Sequence, residues 1–352
     1  MRRGTVDVPD LTVVSPYGQG GASARVRVHG WLRHLDLDAE VLDYLGTRDN
    51  HPATIAEHPM GVLRAERRLR RLDPAPGPPL LLHREASPFS RGALEAALLR
   101  TATRGVYDFD DALQWDRGGS RLRGLFAKPR KCLRAVRDAD LVIAGNHSLA
   151  DWATQWARQV VVVPSCVEPD DYVVKQIYRL HQPPRLLWIG SPSTEGQLRS
   201  AAPALLEVAR RTGAVLRVIS SGHADLAGLT PMVQRVNWSP EAVNAAVAES
   251  DIAIGPLVNG LYEQGKCAYK LLQYAAAGLP IVATPIGANR TVLAALGATA
   301  VTDTEEWVTG LMAWIDATDT DRAGGAAAAR QAVQRDYSYA AWSPTWRAAV
   351  GL

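Results

Sequence analysis

The sequence predicts an α/β protein made of two doubly wound parallel sheets, and three observations carry that prediction. Short β-branched or apolar runs alternate with longer helical patterns along all 352 residues. The runs are apolar throughout instead of alternating with polar residues, which marks strands covered on both faces, as in parallel sheets with helices on either side. They also fall into two sets of six around a proline-rich break, and a single sheet of about twelve strands would be unusually wide.

The first set of expected strands is Leu11–Val14, Ala39–Leu42, Leu80–His83, Gly105–Phe109, Leu141–Ala144 and Val160–Val163. The second set is Arg185–Ile189, Ala214–Ile219, Val233–Val236, Asp251–Ile254, Pro280–Ala283 and Ala298–Thr302. Helical patterns occupy 22–35, 55–72, 90–103, 194–211, 266–277, 288–296 and 304–317. The helix from about Gly265 stops at Gly278–Leu279–Pro280, a glycine C-cap with proline beyond it. The break falls at Pro164–Pro184, so the domains are expected at 1–164 and 185–336, with a linker at 165–184. Residues 337–352 read as a terminal helix expected to pack back on the first domain, with Trp342 and Trp346 as packing residues. In such sheets ligands bind at the carboxyl ends of the strands, here in a cleft between the two sheets.

Composition narrows the class. With 39 Lys+Arg against 36 Asp+Glu, the net charge of +3 is too even for a dedicated nucleic-acid binder. Residues 1–165 carry 24 basic and 19 acidic side chains, whereas 166–352 carry 15 and 17. The excess in the first half lies in two basic runs, Arg64–Arg71 and Arg117–Arg137. Each reads either as a solvated helix face or as an amphipathic basic surface touching anionic lipid. Three scattered cysteines, Cys132, Cys166 and Cys267, offer no disulfide framework or zinc site, which fits a reducing compartment. The N-terminus lacks the long apolar run of a signal peptide, and no stretch approaches the ~18 apolar residues of a membrane span. A cytoplasmic protein, peripheral to the inner membrane face if the basic runs touch lipid, is the expectation.

Four segments could carry chemistry. After the first strand, Gly18, Gly20 and Gly21 precede a helix, where backbone amides can approach a phosphate. Ser23 stands at the third glycine of a dinucleotide fingerprint, so a plain turn is an equal reading. Arg25 and Arg27 sit just inside that helix, where cations are disfavoured unless an anion is near. His83, Arg84 and Glu85 end the third strand, as structural or cleft residues. Asp108, Asp110 and Asp111 end the fourth, readable as a metal-binding D-x-D, a capped loop with Asp111 capping the next helix, or acceptors for substrate hydroxyls. Finally, Lys266, Lys270 and Gln273 fall within about 60° of one another on a helix that is otherwise apolar. That stripe must face solvent or a ligand, and two lysines beside helix-terminal amides suit a diphosphate.

The block EQGKCAYKLLQYAAAGLPIVATPIGANR resembles the donor-binding region of family 4 glycosyltransferases, especially a bacterial subgroup with the pattern G-K-C-x-Y-K-L-x-Q-Y-x-A-x-G-L-P. SARVRV, YDFDDA, ADLVIAGNHSLADWA, VVVVPSCVEPDDY, LLWIGSPSTEGQL and VNWSPEAV match along the chain in the same order. The resemblance implies the GT-B fold, two Rossmann-like domains facing each other across a cleft. It implies retaining transfer from a nucleotide-diphosphate sugar, with front-face attack and no covalent enzyme intermediate. Carried onto this sequence, Ala268, Tyr269, Lys270 and Leu271 would meet the diphosphate, and Gln273 the ribose. Gly190 and Ser191 would line the donor pocket, with Gly20, Gly21 and Arg27 facing the phosphates from the first domain. Lys266, Lys270, Asp110, Asp111 and Arg25 are the candidate catalytic residues.

There are departures from the family pattern. Gly265 and Gln273 replace the two glutamates of its E-x7-E, leaving Lys266 or Glu263 to contact the sugar. SPSTEGQ stands where a basic pair often follows the second domain's first strand, so Lys266 and Lys270 are inferred to neutralise the phosphates. The implied partners are the nucleotide sugar and an acceptor that is a small natural product, a lipid-linked intermediate or a polysaccharide. No cofactor or metal is expected, and no nucleic acid. The donor's base and sugar and the oligomeric state are not written in the sequence. The runner-up readings are a GT-B relative with other chemistry, such as a nucleotide-sugar epimerase or a pseudo-glycosyltransferase, and a non-catalytic two-domain binding protein.

Overall fold

The computed structural model describes residues 8–116 and 128–352 and contains two wholly parallel six-stranded sheets. The first holds β1 (Leu11–Ser15), β2 (Ala39–Asp43), β3 (Leu80–His83), β4 (Gly105–Phe109), β5 (Leu141–Ala144) and β6 (Val160–Val162) in the order β2-β1-β3-β4-β5-β6. The second holds β7 (Arg185–Ile189), β8 (Val215–Ile219), β9 (Val233–Val236), β10 (Ile252–Gly255), β11 (Ile281–Ala283) and β12 (Thr299–Ala300) in the order β12-β11-β10-β7-β8-β9. All twelve runs expected as strands are strands. The central residues of the inner strands, such as Val13, Leu81, Tyr107, Leu187 and Ala253, are inaccessible to water, as two-sided burial demands.

Strand order locates the ligand-binding ends. The first sheet reverses direction between β1 and β3 and the second between β7 and β10, so the loops leaving those four strands stand at topological switch points. They are the loops that carry Gly18–Gly21, His83–Glu85, Gly190–Ser191 and the segment after Gly255.

Helix boundaries shift where proline or glycine acts. The expected 55–72 helix is two, Pro52–Glu57 and Pro59–Arg71, because Pro59 supplies no amide to continue the first. The expected 194–211 helix begins as a 3-10 stretch, Pro192–Ala201, continues as Ala202–Thr212, and ends on Gly213 with φ 73°. The eighteen-residue helix Asp319–Asp336 was invisible to hydrophobic periodicity because alanines line its buried and exposed faces alike. Its start is nevertheless built from a Thr318/Asp321 capping box. Of the second basic run, Lys128–Asp138 is helical and 117–127 lies outside the described residues.

The chain divides into two compact units. One comprises Met1–Cys166, Gly265–Cys267 and Trp342–Leu352; the other comprises Val167–Gln264 and Ala268–Ala341. The 167–184 segment groups with the second unit, where Lys175 N–H donates to Ala277 O (3.0 Å) and Tyr178 Oη to Gly278 O (2.9 Å). The C-terminal helix, Tyr339–Val350, brings Trp346 into the first unit. There its indole stacks on Trp31 at 5.0 Å between ring centroids, and both side chains are fully buried. Arg104 donates to Ala348 O (3.2 Å) and Ala349 O (2.9 Å) at the end of that helix. Trp346→Ala removes a buried indole and its stacking partner's contact, and should cost the first unit about 3–5 kcal/mol. A lowered urea midpoint for the first unfolding transition is the expected result, and an unchanged midpoint would show the stack to be dispensable.

Candidate active site

In the first unit a chain of polar groups runs from the core to the strand ends. Helix Ala22–Ala24 opens into a π-helical turn, Arg25–His29, which turns Arg27 inward. Arg27 is 1% exposed, and its guanidinium grips the Asp108 carboxylate at 2.5 and 3.1 Å. It also donates to Val163 O (2.7 Å) and Pro164 O (2.8 Å). Asp108 accepts from His83 Nδ1 (3.0 Å), His83 Nε2 lies 2.8 Å from Ser23 Oγ, and Ser23 Oγ lies 2.8 Å from both Asp110 oxygens. The serine that breaks the glycine fingerprint is thus the link between His83 and Asp110.

Arg84 approaches the same carboxylates from β3. Its φ of 59° is a left-handed conformation that costs a non-glycine residue about 1–3 kcal/mol unless its surroundings hold it. Here Arg84 N–H donates to Asp108 O (2.9 Å) and Tyr107 Oη donates to Arg84 O (2.9 Å). So clamped, Arg84 donates from Nε to Asp110 (2.7 Å) and reaches Asp111 at 3.4 Å. Glu85 turns the other way and pairs with buried Lys131 at 2.6 Å.

Burial alone would raise the Asp110 pKa, but Arg84, His83, Arg27 and the Ser23 hydrogen bond outweigh it and hold the carboxyl well below its usual range. Asp108 is held down in the same way, with Arg27 the largest opposing charge. Asp110 therefore stays ionised at neutral pH. Cys267, whose Sγ lies 3.2 Å from the Asp110 backbone carbonyl, has its thiol pushed up to about 12 by burial and by the Asp110 carboxylate.

The structure corrects several expectations. Arg27 is sealed in the core on Asp108, and the anion that justifies a cation so early in a helix is that carboxylate. A buried guanidinium with its donors engaged is unavailable to a donor phosphate. Asp111 does not cap the 3-10 turn Leu113–Trp115, which follows Ala112 without a side-chain cap; it pairs with Lys266 Nζ at 3.0 Å. Lys266 does not share a helical stripe with Lys270 and Gln273, because the helix starts at Tyr269 after Ala268 with φ 55°. The physical reason is Gly265, where a Cβ would sit 2.5 Å from that of Ala112. Asn146 Nδ2 fixes the segment further by donating to Gly265 O (2.9 Å) and Lys266 O (3.2 Å). Leu271 is fully buried in the second unit's core, which leaves no side-chain surface for a ligand.

The loop glycines divide into two kinds. Gly18 and Gly21 are required by packing, since a Cβ at either would come within 2.5 Å of Gly46 O or Tyr17 Cβ. Gly20 is exposed, and Arg25 is half-buried one turn along. Among the described residues no group of three His, Cys, Asp or Glu side chains could hold a metal ion.

In the second unit the switch-point loops after β7 and β10 are tied together. Gln197 Nε2 donates to Glu263 (3.1 Å), and Val258 N–H donates to Gln197 Oε1 (2.8 Å). Buried Glu195 anchors the first of these loops through Ala224 N–H (2.8 Å) and Arg235 (3.1 Å). Neither Gln197 nor Glu195 was a sequence candidate; the signal available was only their place after a strand end. After the second of these loops comes helix Tyr269–Ala276, whose start carries no side-chain cap. Tyr274 Oη from this helix accepts from Ile189 N–H on β7 (2.8 Å). Lys270 Nζ stands 4.5 Å from the centroid of the fully buried Trp188 ring. Gly190 makes this stack fit, since a Cβ there would meet Trp188 Cη2 at 2.3 Å. Ser191 is exposed in the same loop, its Oγ 3.0 Å from Ser193 Oγ. Gln273 Nε2 donates to Tyr172 Oη (3.1 Å), which in turn lies 3.4 Å from Tyr269 Oη. Of the expected donor residues, Gly190, Ser191, Ala268, Tyr269, Lys270 and Gln273 share this unit. Gly20, Arg25, Asp110, Asp111, Gly265 and Lys266 belong to the first.

Comparison with known proteins sets the class. Residues 183–316 match the sequence profile of the family described as glycosyl transferases group 1. Solved glycosyltransferases of GT-B fold superpose over 96–97% of the chain. Sucrose-phosphate synthase from Thermosynechococcus elongatus does so with TM-score 0.68 and 13% identity, covering 96% of each chain. Anabaena HepE in complex with UDP-glucose gives TM-score 0.69 and 14% identity over 97% of this chain and 99% of that one. WaaG, a glycosyltransferase involved in lipopolysaccharide biosynthesis, gives 0.64 and 15% over 97% and 100%. No curated protein sequence matches the chain significantly. The fold is GT-B. Residues 183–316 carry the match to glycosyl transferases group 1.

The polar chain of the first unit is testable by stability. Asp108→Asn leaves Arg27 buried without its counter-charge and should cost about 3–5 kcal/mol. Because the folded carboxyls of Asp108 and Asp110 titrate below their unfolded values, their contribution is present above about pH 4 and is lost as pH falls through the depressed folded values. Urea midpoints measured from neutral pH into acid should therefore fall more steeply for the native chain than for Asp108→Asn. Parallel curves would mean that Asp108 does not contribute to acid sensitivity.

Proposed function

We propose that the protein is a retaining glycosyltransferase that moves a sugar from a nucleotide-diphosphate donor to an acceptor hydroxyl, in the cytoplasm and without a metal cofactor. The observation that carries this reading is Lys270, an ammonium held over a buried indole at the uncapped start of a helix, inside the matched group 1 domain. Positive charge and helix-terminal amides at a switch point fit a diphosphate leaving group. HepE, which shares the fold, is solved with UDP-glucose, so uridine donors are the first to try. A reducing compartment fits three unpaired cysteines, two of them fully inside the core. Among the described residues no helix is long and apolar enough to cross a membrane.

In this reading the bond from the anomeric carbon to the diphosphate oxygen breaks while the acceptor oxygen bonds to the same face. The acceptor's proton passes to the departing diphosphate, whose negative charge Lys270 and the amides around Ala268–Lys270 stabilise. Gln273, in place of a glutamate, offers its amide oxygen to a ribose hydroxyl while its NH2 holds Tyr172. Asp110 is too weak a base to take the acceptor's proton, because its charged form is so strongly favoured. Its part, with Asp111 held between Arg84 and Lys266, is to accept hydrogen bonds from sugar or acceptor hydroxyls.

Release of nucleotide diphosphate from a panel of nucleotide sugars, with and without acceptors, tests the reading. Release that depends on an acceptor, with retained anomeric configuration in the product, is expected. Epimerised donor, or no turnover with any donor, would sink it. Lys270→Ala should lower turnover by about 100-fold or more while leaving the urea midpoint of the second unit nearly unchanged. A chelator should leave turnover unaltered.

A further inference from the structure

We propose that the outer face of helix Pro59–Arg71 docks on an anionic lipid bilayer. The helix is anchored by one side only. Ala65 and Leu69 are buried, and Glu66 accepts from Tyr44 Oη (2.9 Å) and from Ser87 Oγ. Arg68 and Arg70 are engaged locally, with Asp43 O and Glu66 respectively. On the opposite side Met60 is 59% exposed and Leu63 is 44% exposed, beside exposed Arg64, Arg67 and Arg71. At about 100° per residue these five side chains fall within an arc of about 100°. Of the acidic groups nearby, Glu66 is taken up by Tyr44, Ser87 and Arg70, while Glu57 before the helix and Asp73 after it lie outside the arc, which leaves the face positive.

Two unbranched or γ-branched apolar side chains ringed by guanidinium groups match the chemistry of a bilayer surface. The chains enter the acyl boundary, while the arginines stay among phosphate headgroups. A single-stranded nucleic acid would instead call for aromatic side chains on which bases stack, and this face has none. Glu66 gives the docking a consequence for the site. Through Ser87 it holds the loop that leaves β3 and carries His83 and Arg84, so the docked helix and that loop form one hydrogen-bonded piece. A surface of this kind suits an enzyme whose acceptor is lipid-linked, although binding itself does not depend on the transfer reading.

The test is co-sedimentation of the full chain, without donor, with vesicles of phosphatidylcholine alone or mixed with phosphatidylglycerol. Binding is expected only to the anionic vesicles and should weaken as salt rises. Arg64→Gln, Arg67→Gln and Arg71→Gln together should weaken it by about 100-fold, at roughly fivefold per charge. Met60→Ser with Leu63→Ser should weaken it by about tenfold or more. Arg210→Gln with Arg211→Gln, on an exposed helix of the second unit, should leave it unchanged. Equal binding by the triple variant and the native chain overturns the proposal, as does the absence of anionic-vesicle binding at low salt. Capture of single-stranded RNA at equal affinity, insensitive to the Met60/Leu63 change, would overturn it in favour of a nucleic-acid partner.

Discussion

Arg27 is a charge removed from water, and much of the first unit is arranged to make that tolerable. Desolvating a guanidinium costs several kcal/mol, which only a close counter-charge and complete hydrogen bonding can offset. Asp108 supplies the first, and the carbonyls of Val163 and Pro164 help supply the second. This one pair ties the helix after β1 to the end of β4 and to the segment leaving β6. Because Asp108 also receives His83, the position of Ser23 and then of Asp110 follows from the same anchor. A candidate site residue on a loop is thereby held by the core, which is how a strand-end loop becomes preorganised.

The second unit reaches a similar end by apolar means. Trp188 lies at the centre of its sheet, and Lys270 Nζ stands over its ring. A quadrupole attracts an ammonium without neutralising its charge. Glycine is required at 190 for the same reason that it is required at 255: at the first a Cβ would strike the indole, and at the second it would strike Leu271 and Ala283. Those two residues close β7 and β10 on the switch point.

Most of the fold was legible, because parallel strands buried on both faces write themselves as continuous apolar runs. What escaped had definite causes. Helix Asp319–Asp336 hides in alanine, which is apolar enough to be buried and small enough to be exposed. The start of the helix at Tyr269 was misplaced because G-K-C-A reads as the first turn of a helix. A left-handed Ala268 gives no signal in a residue type that rarely adopts that conformation. The site was legible in kind and less so in detail. The strand-end acids, the glycine loop and the two lysines were all visible, and Asp110, Asp111 and Lys266 do meet. The inward turn of Arg27 was not visible, since a π-helical turn changes which residues share a face and the 3.6-residue period conceals it.

The separate partners of the two lysines have a chemical consequence. Lys266 pairs with Asp111 at 3.0 Å in the first unit, whereas Lys270 Nζ stands 4.5 Å from the Trp188 ring centroid in the second. A carboxylate partner takes up part of an ammonium's field, while a ring quadrupole attracts an ammonium without neutralising it. In the transfer proposed above, charge developing on the leaving diphosphate would draw on a contact of the second kind more than on one of the first. Lys266, tied with Arg84 to the carboxylates after β4, belongs with the groups that fix those acids in place.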